Sequence, residues 1–277
     1  DYSFGATSVI MPNVLAKLGM EVLSVNPYAA TMVGADRGEP QARVRRVGDL
    51  VRASGSHMGL VLDADGETVV IVDDEGRALS HDEALLALVD LASVPGGKIA
   101  LPVAASTHAW KLAEQRGAEV VWTKLSAAHL MEVCGDPEVM LGASQEGGYI
   151  WPRFLPAYDA IATLVHLADL LARRGSRLSD VTRHLPRVHI AHEIAPTPWE
   201  AKGAVMRLTV EQAKDREVLL VDGVKVFHED RWALVLPDPD EPFTHVWAEA
   251  ESSQAAQQLA QEYSRRIRRS AREEQAR

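Results

Sequence analysis

A single cysteine, Cys134, stands in 277 residues. One thiol excludes an internal disulfide framework and a zinc site built on cysteines, and a reducing, cytoplasmic setting is the expectation. No run approaches the roughly 18 consecutive apolar residues that a membrane-spanning helix needs. The opening residues, Asp1-Tyr2-Ser3-Phe4-Gly5, carry neither a basic segment nor an apolar one, so they do not read as a signal peptide. Cations are in deficit: 29 Lys and Arg against 39 Asp and Glu give a formal net charge of −10. A nucleic-acid groove needs clustered cations, so neither nucleic acid nor membrane is an expected partner. Arginines do gather at Arg265, Arg266, Arg268, Arg269 and Arg272, but acidic residues interleave and the stretch reads as a solvated helix end. Gly-x-Gly-x-x-Gly and Walker-type loops are missing, which leaves nucleotide binding unsupported.

What remains is an ordinary globular composition, 47% hydrophobic and 25% charged, long enough for two or three domains. Strand and helix patterns alternate over most of the length. Residues 6–18 read as a helix with Val9, Ile10, Val14 and Leu18 near one face. Glu21 to Asn26 reads as a strand, Pro40 to Ala53 as a helix, Met58 to Leu62 and Val69 to Val72 as strands, and His81 to Leu91 as a helix. The breaker cluster Val94-Pro95-Gly96-Gly97 marks a boundary before a second α/β series. That series ends in a long amphipathic helix over Ala157 to Arg173. Beyond Ile194 to Pro198 the order changes: a helix over Trp199 to Gln212, four short strands, then a closing helix from Ser252 to Arg269. The fold class is therefore α/β, two α/β domains (1–95 and 96–196) followed by a smaller α+β domain (197–277). The chain starts at a turn that runs straight into a helix with no strand before it, so it is expected to be a piece of a longer protein.

Three loops could carry chemistry. In Leu62-Asp63-Ala64-Asp65-Gly66-Glu67-Thr68, three carboxylates alternate on a turn between apolar strands, and hard divalent cations take oxygen ligands from such loops. A solvated acidic hairpin is the competing reading. An EF-hand is rejected because its glycine would fall at Thr68 and its last glutamate at Asp74. In Gly142-Ala143-Ser144-Gln145-Glu146-Gly147-Gly148, a polar triplet before a Gly-Gly turn could meet sugar hydroxyls, or could be a plain turn. Leu236-Pro237-Asp238-Pro239-Asp240-Glu241-Pro242 is an acidic, proline-rich turn. His189 and His192 are three apart on an extended segment, hence on opposite sides, and do not make a zinc motif. Cys134 reads as a buried thiol.

Together these loops resemble those of the α-D-phosphohexomutases, the phosphomannomutases and phosphoglucomutases. Asp63 to Glu67 resembles the family's Asp-Gly-Asp-Gly-Asp magnesium loop. Gly142 to Pro152 resembles its sugar-specificity loop, and Lys124 matches a basic position of the family. Arg231 to Glu251 resembles the fourth domain around an Arg-Pro-Ser-Gly-Thr-Glu-Pro phosphate loop. Pro198 to Gly203 resembles a linker of the subset in which mutase-like domains follow a mannose-1-phosphate guanylyltransferase-like domain. The resemblance implies domains two to four, possible Mg2+ at Asp63, Asp65 and Glu67, sugar contacts at Lys124, Ser144, Gln145 and Glu146, a hexose phosphate as partner, and an upstream nucleotidyltransferase domain.

The departures reshape that expectation. No segment resembles the phosphorylated-serine loop, and Ser106-Thr107-His108 does not qualify, so no catalytic residue is assigned. In the phosphate loop the family's Arg, Ser, Gly and Thr become Leu236, Asp238, Pro239 and Asp240. Prolines offer no N–H, and one carboxylate facing a phosphate at close range costs roughly 4 kcal/mol at an effective dielectric of about 20. No compensating cation lies within the turn, so no phosphate-binding residue is assigned. The expected function is a degenerate phosphohexomutase-like module of a GDP-mannose-type sugar-nucleotide biosynthesis protein, without mutase activity of its own. A fragment of an active Mg-dependent mutase and a purely structural or oligomerisation module are the alternatives.

Overall fold

The computed structural model describes residues 1–29 and 39–275. They form two compact units, one of residues 1–101, 107–121 and 127–186, the other of residues 102–106, 122–126 and 187–277.

In the first unit the chain forms α1 (Thr7–Lys17), α2 (Pro40–Ser54), β1 (Gly59–Leu62), β2 (Val69–Val72), α3 (His81–Ala92), β3 (Lys98–Pro102), α4 (Thr107–Gln115), β4 (Glu119–Thr123), α5 (Ala127–Val133), β5 (Val139–Ala143), β6 (Tyr149–Trp151), β7 (Leu155–Tyr158), α6 (Ala160–Arg174) and α7 (Leu178–Arg183). The helix α3 starts where Ser80 accepts from the Glu83 N–H while the Glu83 carboxylate accepts from the Ser80 N–H. This reciprocal cap satisfies two otherwise orphaned donors. Ala84 to Ala92 are all buried, so α3 is a core helix. Each leucine so buried contributes roughly 1.5–3 kcal/mol. The sheet order is β4-β3-β5-β6-β7, with β3 and β5 parallel and β5-β6-β7 antiparallel. A separate antiparallel hairpin, β1-β2, packs on α2 through Val47, Val51, Val61 and Val72. Gly59 permits that approach, because a Cβ there would lie 2.5 Å from Val47 Cγ1.

Two expectations fail here. The face of α1 that is buried is Thr7, Ser8, Met11 and Leu15, whereas Val9 and Ile10 are exposed. Ser8 tolerates burial because its hydroxyl donates to Gly5 O at 2.8 Å. Residues 21–26 form no strand among the described residues: the backbone bond they receive there, from Tyr2 N–H to Val25 O, is single, and a strand requires a ladder.

The second unit contains β8 (Ile190–Pro196), α8 (Lys202–Gln212, after a 3-10 turn at Trp199–Ala201), β9 (Val218–Leu219), β10 (Val224–His228), β11 (Arg231–Pro237), β12 (Phe243–Glu249) and α9 (Ser253–Gln275). All its strand pairs are antiparallel, in the order β8-β12-β11-β10-β9. One face packs on α8 and α9 through Val205, Val226, Val235, Val246, Leu259 and Ile267. The other face carries Lys225, fully buried. Its ammonium donates to Val103 O at 2.8 Å and Ala105 O at 3.2 Å and lies 3.9 Å from the Trp232 ring centre. Beside it, the buried Glu249 carboxylate accepts from Trp232 Nε1 at 2.6 Å and from Ser106 Oγ. The Ser106 hydroxyl is thus part of this buried network. These bonds fix segment 102–106 on the sheet, and Val103 N–H donates to Thr123 O at 2.9 Å, which ties to it segment 122–126, the carrier of Lys124.

Candidate functional site

In the first unit, Asp63 makes its own turn. Oδ1 accepts from Gly66 N at 2.6 Å and Glu67 N at 2.8 Å, and Oδ2 from Thr68 N at 3.1 Å and Thr68 Oγ1 at 2.9 Å. Asp65 and Glu67 are exposed. Among the described residues no group of three or more His, Cys, Asp or Glu is placed to hold a metal ion. A magnesium ion needs carboxylate lone pairs free to converge in a near-octahedral shell, and those of Asp63 are directed into the loop. The loop as folded does not fit magnesium.

The sugar-type loop is turned the same way by a shorter side chain. Ser144 Oγ accepts from Glu146 N at 3.2 Å and Gly148 N at 3.1 Å. His81, first residue of α3, places Nδ1 3.0 Å from Gln145 O, so that nitrogen carries the proton. The two loops meet: Val69 N–H donates to Gly147 O at 3.0 Å, and Thr68 bridges Gly148. Gly147 has φ +83°, and a Cβ there would stand 2.8 Å from Val69 O, so only glycine allows the junction. Ala160 N–H, opening α6, donates to Gly66 O at 2.9 Å.

Tyr158 at the end of β7 belongs to this junction. Burial raises its phenol, Ser144 bonding opposes that, and the nearby Glu146 and Glu67 carboxylates raise it further. One hydroxyl thus senses a carboxylate from each loop. Tyr158 and His81 were not among the residues picked from sequence, because neither belongs to a motif and each is brought in by a strand end or a helix start. Lys124 lies in the second unit, exposed, on the segment whose Leu125 N–H donates to Asp222 Oδ2 at 3.0 Å.

The second unit holds the acidic turn between β11 and β12. Asp238 Oδ1 accepts from Asp240 N and Glu241 N, both at 2.8 Å, and Oδ2 faces His245 Nε2 at 3.0 Å. The Asp240 N–H bond, then His245, holds this carboxyl below its usual range. The expectation of an uncompensated turn needs correction. Lys202, at the start of α8, donates to Asp238 O and Glu241 O, each at 2.6 Å, and lies 3.5 Å from the Trp199 ring centre. The cation arrives from 36 residues away and bonds the loop's own carbonyls. His245 in turn faces His192 Nε2 at 2.9 Å through Nδ1, while His189 pairs with Ser253, so the two histidines of the Ile190 segment take separate partners. Cys134 is buried, and burial pushes its thiol up to about 12.

The α/β unit and the antiparallel unit together match the fold of phosphohexomutase structures. A family profile described as phosphoglucomutase/phosphomannomutase, alpha/beta/alpha domain III, matches residues 81–188. A probable phosphoglucosamine mutase from Methanopyrus kandleri is 31% identical over 97% of this chain and 61% of its own length. A phosphoglucomutase/phosphomannomutase family protein from Burkholderia thailandensis superposes with a TM-score of 0.78 at 20% identity, over 98% of this chain and 60% of its own. An N-acetylphosphoglucosamine mutase from Aspergillus fumigatus, solved with GlcNAc-6P and magnesium, has a TM-score of 0.57 at 13% identity, over 93% of this chain and 63% of its own. Residues 81–188 thus belong to the phosphoglucomutase/phosphomannomutase domain III family, and the chain as a whole is similar to α-D-phosphohexomutases in sequence and fold. It spans about three fifths of the length of the relatives it matches. Among the described residues no helix is long and apolar enough to cross a membrane.

Proposed function

We propose that the chain is a phosphohexomutase-type module, of domains 1–95, 96 to about 186, and a last domain that starts before β8 and not at residue 197, in a GDP-mannose-type sugar-nucleotide biosynthesis protein of the cytoplasm, without mutase turnover of its own. The observation that supports this reading is the Asp238 carboxylate. It fills the two backbone N–H groups of its turn that an anion would otherwise use. A phosphate would have to displace it, and Asp240 and Glu241 would add like charge. The Lys202 ammonium offsets part of that repulsion, but its bonds go to the Asp238 and Glu241 carbonyls and leave the Asp238 carboxylate on the two N–H groups. Calorimetry with mannose 1-phosphate and glucose 6-phosphate tests the reading. No heat is expected with millimolar ligand; binding at micromolar concentration abolished by Lys202→Met would defeat it.

A second reading, a piece of an active mutase, has one arrangement in its favour. The loops of residues 63–68 and 144–148 are joined and present Glu67 and Glu146 to Tyr158. It requires turnover of hexose phosphates by the full-length protein, lost on Glu146→Gln.

A further inference from the structure

Far along the first unit's sequence from those loops, four helices frame a half-open cavity of about 560 Å3. Its polar wall is built on Asp90 of α3, whose side chain is only 8% exposed. Arg116, just past α4, donates to Asp90 Oδ1 through Nε at 2.9 Å and Nη2 at 2.6 Å. Arg174, the last residue of α6, donates to Asp90 Oδ2 through Nη1 at 2.5 Å. Three charge-assisted bonds converge on one carboxylate, so its charge is directed at the guanidinium groups and not into the cavity. Both arginines nevertheless line the cavity and keep 44% and 36% of their side chains exposed. Arg116 retains Nη1, and Arg174 retains Nε and Nη2, outside the Asp90 bonds.

The remaining wall is mixed. Gln115 and Ser176 add polar groups, and Leu112, Val181 and Leu185 add apolar surface. The other carboxylate, Asp180, is paired with Arg183 at 3.1 Å, and Arg183 also meets Glu75. Two cations held by one buried anion leave the Asp90 cluster with a net positive charge. The side-chain entropy of two long arginines is already reduced in the empty state, which is how preorganisation raises affinity. The volume falls within the roughly 300–1,000 Å3 of small-molecule sites.

We propose that this cavity binds a small oxyanion carried on an apolar ring, with Arg116 and Arg174 holding the charged head and Leu112, Val181 and Leu185 covering the ring. The head group is a phosphate or a carboxylate; both suit a guanidinium fork. Nothing in this site depends on the acidic turn of the second unit.

Three probes of one ring size test it on the intact chain: phenyl phosphate, benzoate and neutral benzyl alcohol. Amide and arginine side-chain resonances are followed by NMR. Phenyl phosphate or benzoate should shift Gln115, Arg116, Arg174 and Ser176 together with a dissociation constant below about 1 mM, and the tighter of the two names the head group. Benzyl alcohol should leave them unmoved. Gln115→Glu, an exposed change that does not touch Asp90, should weaken binding at least about tenfold by like-charge repulsion. Arg174→Lys, which keeps the charge and loses the fork, should weaken it severalfold with the melting temperature nearly kept. Lys202→Met should change nothing, so binding at the acidic turn is told apart from binding here. Equal binding of benzyl alcohol, no shift with about 10 mM of either anion, or indifference to Gln115→Glu would overturn the proposal.

Discussion

Each unit holds a loop that resembles a ligand loop of the phosphohexomutases, and in each an aspartate has turned inward to cap it. Asp63 accepts from backbone N–H groups three, four and five residues on; Asp238 accepts from those two and three residues on. The two differ in what holds the loop from outside. The Asp63 turn is bound to its neighbours by backbone bonds, through Gly66 O and the Val69–Gly147 junction. The Asp238 turn also takes a backbone bond from outside, Thr197 N–H to Pro242 O at 2.8 Å, but adds side-chain staples, the Lys202 ammonium and the His245 ring. Backbone bonds fix a loop whatever its side chains become, whereas side-chain staples can be lost by single substitutions. The first loop is therefore held through backbone bonds, and the second joins a backbone bond to staples that single substitutions can remove.

The same contrast runs through the second unit's two lysines. Lys202 and Lys225 each donate to two backbone carbonyls, one near the surface and one with no exposure. Breaking the buried one should give the largest effect. Lys225→Ala leaves two carbonyls unpaired and a cavity beside Trp232, and should cost about 3–5 kcal/mol in chemical denaturation. Burial also pulls the Lys225 amine down to about 7, with Glu249 opposing. A lysine depressed in the folded state binds fewer protons there than in the unfolded chain between that value and its ordinary one of about 10.4. Its contribution to stability should therefore rise from neutral to alkaline pH, and Lys225→Met should flatten that rise. An unchanged slope in the Met variant would place the titration elsewhere.

Next in size is Asp63→Ala. It removes four hydrogen bonds to a charged acceptor on a partly exposed loop that water can reach, so about 2 kcal/mol is expected. Asp63→Asn should recover part of that loss in a thermal melt, because the amide oxygen still accepts. Millimolar magnesium should leave the wild-type melting temperature in place, since a ligand of the native state would raise it. A rise abolished by Asp63→Asn would show that the carboxylate leaves its turn to bind the ion.

How much of this was legible in the sequence varies with the range of the interaction. The helix expected over His81 to Leu91 forms over His81–Ala92, because a dense apolar run follows Ser80. The α1 face was misread because apolar identity was taken as the guide, while Ser8 finds a carbonyl inside and Val9 and Ile10 stay outside. The alternation of Asp63, Asp65 and Glu67 was visible, yet spacing cannot say whether a carboxylate faces a cation or its own backbone. The acidic turn was visible as well, but its cation was not. Lys202 lies in another element, and only the β11–β12 hairpin and the start of α8 bring it near. Tyr158 and His81 were hidden for the same reason, since bonds between elements leave no local pattern.

The smallest expected effect is the one that most sharply separates the two loops. Asp238→Ala removes the acceptor of two backbone N–H groups and the His245 partner from an exposed turn that Lys202 still spans. Its thermal cost should be clearly less than that of Asp63→Ala, because the freed N–H groups face water. The Asp238 carboxyl is held below its usual range, so its stabilisation is present above the unfolded value near 3.9 and lost as pH falls through the folded one. The acid limb of the melt should accordingly be shallower in the Ala variant. The freed Asp240 and Glu241 N–H groups should also gain a weak inorganic-phosphate response that the wild type lacks, read as chemical-shift changes confined to those two amides. The corresponding Asp63→Ala chain should show none, because its loop remains tied to Gly147 and Ala160. If both variants acquire phosphate binding, or neither does, the inward aspartates are equivalent turn formers and Asp238 does not stand in for an anion.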